Sequence, residues 1–182
     1  MKTTYQIDPA HTSAQFTVRH MMITNVRGGF GRVEGTVVYD PDHPEASSVE
    51  AIIDTRTINT LDEQRDAHLR SADFLETDQH PSIVFKSKKI ESAGDDEWKV
   101  TGDLTIHGAT REVVLQVEGP TAEIKDPFGN TRIGVSASTK IKRSDFGLTW
   151  NAVLEAGGIA VGDEVKIGLE ISAIKAQEKA AG

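Results

Sequence analysis

The chain has 182 residues, with 28 acidic against 20 basic side chains and a formal net charge of −8. A nucleic-acid binder shows a basic patch or stripe; the two basic runs here, Lys86–Lys89 and Lys140–Arg143, are short and read as solvated strand faces, so no nucleic-acid partner is expected. The absence of cysteine removes disulfides, thiolate metal sites and cysteine nucleophiles.

The length suits one domain, placed over residues 1–175, with a flexible tail over 176–182. Nothing approaches the ~20 apolar residues of a membrane-crossing helix, so no membrane insertion is expected. Met1 to Tyr5 run directly into patterned sequence without an apolar leader. That predicts a cytoplasmic protein; a periplasmic or secreted one requires that a signal peptide was removed.

In chain order, period-2 alternation recurs between turn signals. Ala14, Phe16, Val18 and His20 share one strand face. Gly28, Gly29 and Gly31 predict a bulge or sharp bend before Val33, Gly35, Val37 and Tyr39, and the Asp40–Pro44 turn stops that strand. Val49, Ala51 and Ile53 form the next face and lead into a different kind of segment, Thr60 to Phe74.

That segment predicts the one helix, over residues 60–73. Thr60 followed by Glu63 has the capping-box spacing. At about 100° per residue, Leu61, Arg65, His68 and Ala72 share a face, with Gln64 and Leu69 at its edges. Asp62, Glu63, Asp66, Arg70 and Asp73 point away, and Asp66–Arg70 has the spacing of a helical ion pair. Packing is expected through Leu61, Leu69 and Ala72, which carries Arg65 and His68 toward the protein. A buried charge needs a partner, here either a ligand or an internal carboxylate such as Asp54 or Asp145.

After the helix, strands centred on Ile83–Ser87, Trp98–Ile106, Val113–Val117, Ile133–Ile141 and Val165–Ala173 follow, and residues 143–162 lack a period. His107-Gly108 reads as a tight turn. About eight antiparallel strands, each with one apolar face, require a second sheet or closure into a barrel, and eight leave room for a filled core or one ligand. Small residues on the inward faces (Ala14, Gly35, Ala51, Gly102, Ala137, Ala173) favour a cavity. Gly102→Leu or Ala137→Leu is then expected to block it at modest cost in stability.

Six stretches carry a resemblance: Asp8–His20, Val26–Gly35, Arg65–Phe74, His80–Phe85, Gly102–Gly108 and Arg143–Gly147. Together and in order, over nearly the whole chain, they resemble the YceI-like family of lipid-binding β-barrels. The resemblance implies an all-β fold, an extended lipocalin-like antiparallel barrel holding a long isoprenoid or similar amphiphile in an apolar tunnel. It implies a transport or carrier role, no cofactor beyond a bound polyisoprenoid, and a homodimer, for which the residues give no independent sign. The resemblance also implies an export signal in many relatives, and none is expected here from the residues at the start of this sequence.

A tunnel wall is expected from Phe16, Val18, Val37, Ile53, Phe85, Val100, Leu104, Leu115, Val135, Ile167 and Leu169, with Phe74, Phe146 and Trp150 lining or covering its mouth. A polar or phosphate head group would meet Arg65 and His68, joined by Arg143 and His20. Arg65 suits phosphate because its guanidinium forks onto two oxygens. A hydrolase or metal-dependent enzyme built on His68 is the rival class, with Asp66, Asp73 and Ser71 as further ingredients. On a continuous helix neither carboxylate faces His68, and no nucleophile elbow or phosphate loop is present. No two histidines stand at metal-ligand spacing on one element, so no metal site and no enzyme are expected. A filled barrel that binds partners on its outside would show the same alternation.

Overall fold

The computed structural model describes residues 1–177. Alternation turns into pairing along twelve strand segments: β1 (Thr3–Ile7), β2 (Ser13–His20), β3 (Thr24–Phe30), β4 (Val33–Tyr39), β5 (Ser48–Asp54), β6 (Ile58–Asn59), β7 (Ser82–Gly94), β8 (Glu97–Ile106), β9 (Ala109–Glu118), β10 (Ile124–Lys125), β11 (Thr131–Lys142) and β12 (Val161–Lys175). The one α-helix of the described residues, α1, spans Glu63–Arg70. Eight segments close a ring in the order β11-β9-β8-β7-β5-β4-β1-β12 and back to β11. All of these pairs are antiparallel, so the ring is the closed barrel expected from the sequence.

Three of the four further segments lengthen the barrel on one side. β2 lies beyond β1 along the same edge of β12, pairing Ser13 to Glu170 where β1 pairs Ile7 to Ala173. β3 pairs with β2, and β6 with β3, so the ribbons β1–β2, β4–β3 and β5–β6 each run through a break. Asp8-Pro9 makes the first break: Asp8 caps a short 3-10 turn by accepting from the Ala10 N–H. Such a turn interrupts the ladder, and for that reason β1 does not read as part of one long alternation.

The β8–β9 hairpin uses a left-handed turn, which matches the strand twist. His107 and Gly108, both at positive φ, connect the paired Ile106 and Ala109. Glycines in the wall serve a different end. A side chain at Gly28 would put its Cβ 2.5 Å from the Phe16 ring, and one at Gly102 would put it 2.5 Å from both the Phe85 ring and the Lys86 carbonyl oxygen. Each glycine therefore gives its space to an aromatic ring folded across the strand. Gly28 and Gly29 lie within β3 and not in a bulge as expected; the bend falls at residues 31–32.

The helix is shorter than expected. Asp62, not Thr60, is its N-cap and accepts from the Arg65 N–H at 2.9 Å. Leu61 sits at positive φ outside it and is 93% exposed, and Ala72 is exposed, so only Leu69 of the three expected packing residues joins the core. Asp66 does not point away: it is buried and accepts from both the N–H (2.8 Å) and the hydroxyl (2.5 Å) of buried Thr60, in place of an ion pair with Arg70. Ala176 continues beyond β12 with its N–H on the Thr4 carbonyl, at 2.8 Å. The rest of the tail expected over 176–182, from residue 178 on, lies outside the described residues.

Candidate functional site

The inward faces leave a cavity of about 730 Å³. A filled barrel is thereby excluded. At one end the lining comes from Tyr39, Pro44, Ile90, Trp98, Val117 and Pro120; at the other from His20, Arg65, His68, Phe74 and Trp150. Between them lie Phe16, Val18, Val37, Ile53, Phe85, Val100, Leu104, Leu115, Val135, Ile167 and Leu169, every wall residue expected from alternation. Of the small residues, Ala14, Ala51 and Ala137 face it, whereas Gly35, Gly102 and Ala173 do not.

Phe146 is the exception among the aromatic expectations. It is 1% exposed and does not line the cavity: a 3-10 turn over Arg143–Phe146 places it in the core cluster behind the wall, with Ile58, Leu75 and Leu148, which do line the cavity. Phe74 and Trp150 do meet at the mouth, where His68 packs against both. The His68 ring stands edge-on to both, at 5.0 Å from Phe74 and 4.8 Å from Trp150, and the two aromatic centroids are 5.3 Å apart. Such edge-to-face contacts add specificity of geometry to simple burial.

The polar groups of the mouth divide into two kinds. Arg143 is 6% exposed and donates to the carbonyls of Gly162 (2.8 Å), Leu148 (2.8 Å), Trp150 (3.3 Å) and Val161 (3.3 Å). Burial pushes its guanidinium below its ordinary value, with nearby Asp163 opposing the shift. It also stands 5.9 Å from the Phe74 ring centroid, a cation–π contact. Its donors thus organise the aperiodic segment 148–162, which brings Trp150 over the mouth.

Arg65 is different. Its Nε donates to the Thr60 hydroxyl at 2.8 Å and its Nη2 to the Thr60 carbonyl at 2.7 Å. Neither Asp54 nor Asp145 pairs with it: Asp54 forms an ion pair with Arg56. Among the described residues Arg65 has no carboxylate partner, and its Nη1 makes no hydrogen bond. The charge is held by one threonine beside the cavity. His68 bonds through Nε2 to Asp73 at 2.9 Å, which overturns the expectation that no carboxylate orients it. The helix ends at Ser71, so Asp73 lies on a returning turn, and the helical angle between the two residues no longer applies.

Sequence reasoning missed Phe30, Tyr39, Ile90, Trp98 and Leu75 as lining residues. Trp98 carried a signal, since it opens the alternation of β8; its indole N–H donates to the Gly119 carbonyl at 2.8 Å, which fixes the ring across the far end. Leu75 carried none, because it follows the helix in a turn.

Comparison with known proteins gives the same picture. A family model described as the YceI-like domain matches residues 5–173. A UPF0312 protein of Vibrio cholerae serotype O1 is 37% identical over 146 residues, 79% of this chain and 77% of that protein. The crystal structure of a Campylobacter jejuni YCEI protein is similar with a TM-score of 0.71 and 30% identity, over 87% of this chain and 90% of the other. A polyisoprenoid binding domain from Saccharophagus degradans shares the fold at a TM-score of 0.69 and 15% identity, over 96% and 99% of the two chains. With the family model spanning all eight ring strands and both ends of the cavity, this chain belongs to the YceI-like family.

Proposed function

We propose that this protein is a non-catalytic carrier that holds one long-chain isoprenoid or similar amphiphilic lipid inside the barrel. The observation that carries this is the cavity of about 730 Å³, walled mainly by aliphatic and aromatic side chains along its length and with charged side chains only near one mouth. Burying an apolar chain contributes about 0.8 kcal/mol per CH₂, so such a wall supports affinity without specific contacts. The polyisoprenoid binding domain of Saccharophagus degradans, which shares this fold, is consistent with that ligand class. Arg65, with an unused Nη1, and His68 meet a polar or phosphate head, and His20 lies at the same end. Arg143 acts through the loop it orders.

The His68–Asp73 contact favours a second reading, acid–base chemistry at the mouth. Against it, the Ser71 hydroxyl donates to the His68 carbonyl at 2.6 Å and makes no hydrogen bond to the imidazole. Organic extraction of the purified protein followed by mass spectrometry separates the two. One long-chain amphiphile per chain supports the carrier. Repeated absence, together with failure to take up added prenyl lipids, removes it, and ester or phosphate turnover that dies in His68→Ala replaces it with an enzyme.

A further inference from the structure

Outside the cavity, the structure assigns a site for a divalent transition metal of the zinc class to Glu76, His80 and His107. No spacing on a single element pointed to it, and no metal site was expected; two turns from distant parts of the chain build it. Glu76 stands at positive φ in the turn after α1, with its N–H on the Ser71 carbonyl at 2.9 Å. The His80 N–H returns to the Glu76 carbonyl, also at 2.9 Å, and puts both side chains on one side of the turn. His107, likewise at positive φ, is the first residue of the β8–β9 turn. The two-residue turn of the β8–β9 hairpin sets the positive φ of His107, and both turns supply ligand atoms to one point.

The potential ligand atoms of all three residues lie within 4.8 Å of one another. His107 Nε2 is 3.3 Å, and His80 Nε2 4.0 Å, from the same Glu76 oxygen. Zinc bonds of about 2.0–2.1 Å set the edge of a tetrahedron near 3.3 Å. One edge is therefore already formed, and small side-chain rotations close the others. The imidazole rings are 4.7 Å apart and inclined at 61°, so their nitrogens converge without stacking. Gly108 makes the approach feasible, since a Cβ there would lie 3.0 Å from His80 Cε1. Two imidazoles and a carboxylate suit zinc, and the same set accepts nickel or copper; calcium and magnesium demand oxygen ligands. With side chains 21–36% exposed, a fourth position is open to water.

Bound metal would tie the turn after α1 to the β8–β9 hairpin, behind Phe74 and Leu75 of the cavity wall. Because it binds the folded chain, it raises the melting temperature. Tag-free protein stripped with a chelator is titrated with Zn²⁺ by calorimetry, and melting is followed in parallel. One ion per chain is expected, with a rise in melting temperature. His80→Ala, His107→Ala and Glu76→Gln should each weaken binding by at least about tenfold, the lower end of what even outer-shell changes cost a metal site. His43→Ala, at an exposed histidine elsewhere, should leave binding unchanged. Wild-type uptake no greater than that of the triple variant overturns the site, as does equal loss in His43→Ala. Should a variant fail to fold, imidazole NMR of the wild type decides: Zn²⁺ must shift the ring signals of His80 and His107 and spare those of His11 and His43, and the reverse pattern overturns the site.

Discussion

Thr60 holds the mouth together with four hydrogen bonds. Its N–H and hydroxyl donate to Asp66, while its hydroxyl and carbonyl accept from Arg65. Arg65 is thus oriented by neutral acceptors, with the carboxylate one hydroxyl away, and its positive charge stays available to the cavity. A charge-assisted hydrogen bond contributes about 1.5–3 kcal/mol, so Arg65→Ala should weaken a prenyl phosphate roughly 10- to 100-fold. A prenyl alcohol of equal length should lose far less. Displacement of a fluorescent lipid by each ligand measures both, and equal losses would take Arg65 out of the head-group site. The sequence placed Arg65 on the inward face and offered a ligand or a carboxylate such as Asp54 or Asp145 as its partner, but it did not show Thr60 as that partner. Thr60-x-x-Glu63 satisfies the capping-box pattern, and so competes on paper with the Asp62 cap that the chain adopts. What decides is Asp66, a tertiary contact that withdraws the Thr60 N–H from the helix start.

At the scale of elements, period-2 alternation was sufficient to place the wall, since a strand in a closed barrel has only an inside and an outside. It could not distinguish a small residue that leaves space from one that yields space to a neighbour. Ala137 belongs to the first kind: it faces the cavity, opposite Leu169 on β12. Gly102 belongs to the second, with the Phe85 ring already over it. Ala137→Leu should therefore fold normally and lose lipid uptake. Gly102→Ala should instead destabilise the barrel by about 1–3 kcal/mol, the usual cost of overpacking, because the Lys86 carbonyl oxygen is backbone and cannot move aside cheaply. Urea unfolding midpoints and a lipid-uptake assay on both variants test the distinction; a stable Gly102→Ala would show that the ring shifts freely. The aperiodic segment 143–162 was illegible for another reason. Between its 3-10 turn and β12 it forms, among the described residues, only the single Val153–Ile159 bridge, and four carbonyls, of Leu148 and Trp150 in the loop and of Val161 and Gly162 where β12 begins, are satisfied by one buried arginine side chain. No local pattern announces such an arrangement, so Arg143 read as a ligand for a head group.

For the whole molecule, closure depends on unequal seams. β11 and β12 pair from Arg132–Ile174 to Lys142–Glu164, whereas β1 meets β12 only from Tyr5–Lys175 to Ile7–Ala173. Side chains reinforce the short seam. Glu123 accepts from the Tyr5 hydroxyl at 2.6 Å and pairs with Lys175 at 3.1 Å. Burial, with Glu123 as partner, pushes the Tyr5 phenol up to about 12. Close by, Arg132 of β11 grips Asp8 at 2.7 Å and Asp126 at 2.6 Å, and also donates to Ser172 of β12 at 3.2 Å. Its guanidinium holds both carboxyl groups below their ordinary range, Asp126 the more strongly. Depressed carboxyl values mean that the unfolded chain binds more protons than the folded one once the pH enters the carboxylate range near 4. The stabilisation is thus complete above that range and drains away as pH falls through and below it. Urea midpoints should be level from pH 7 to about 5, then drop steeply toward pH 3. In Arg132→Met the neutral-pH midpoint should be lower and the acid decline shallower, because Asp8 and Asp126 then titrate closer to their unfolded values. An equally steep decline in the variant would mean that other carboxylates govern acid unfolding, and that the clasp on the short seam is not what acid releases first.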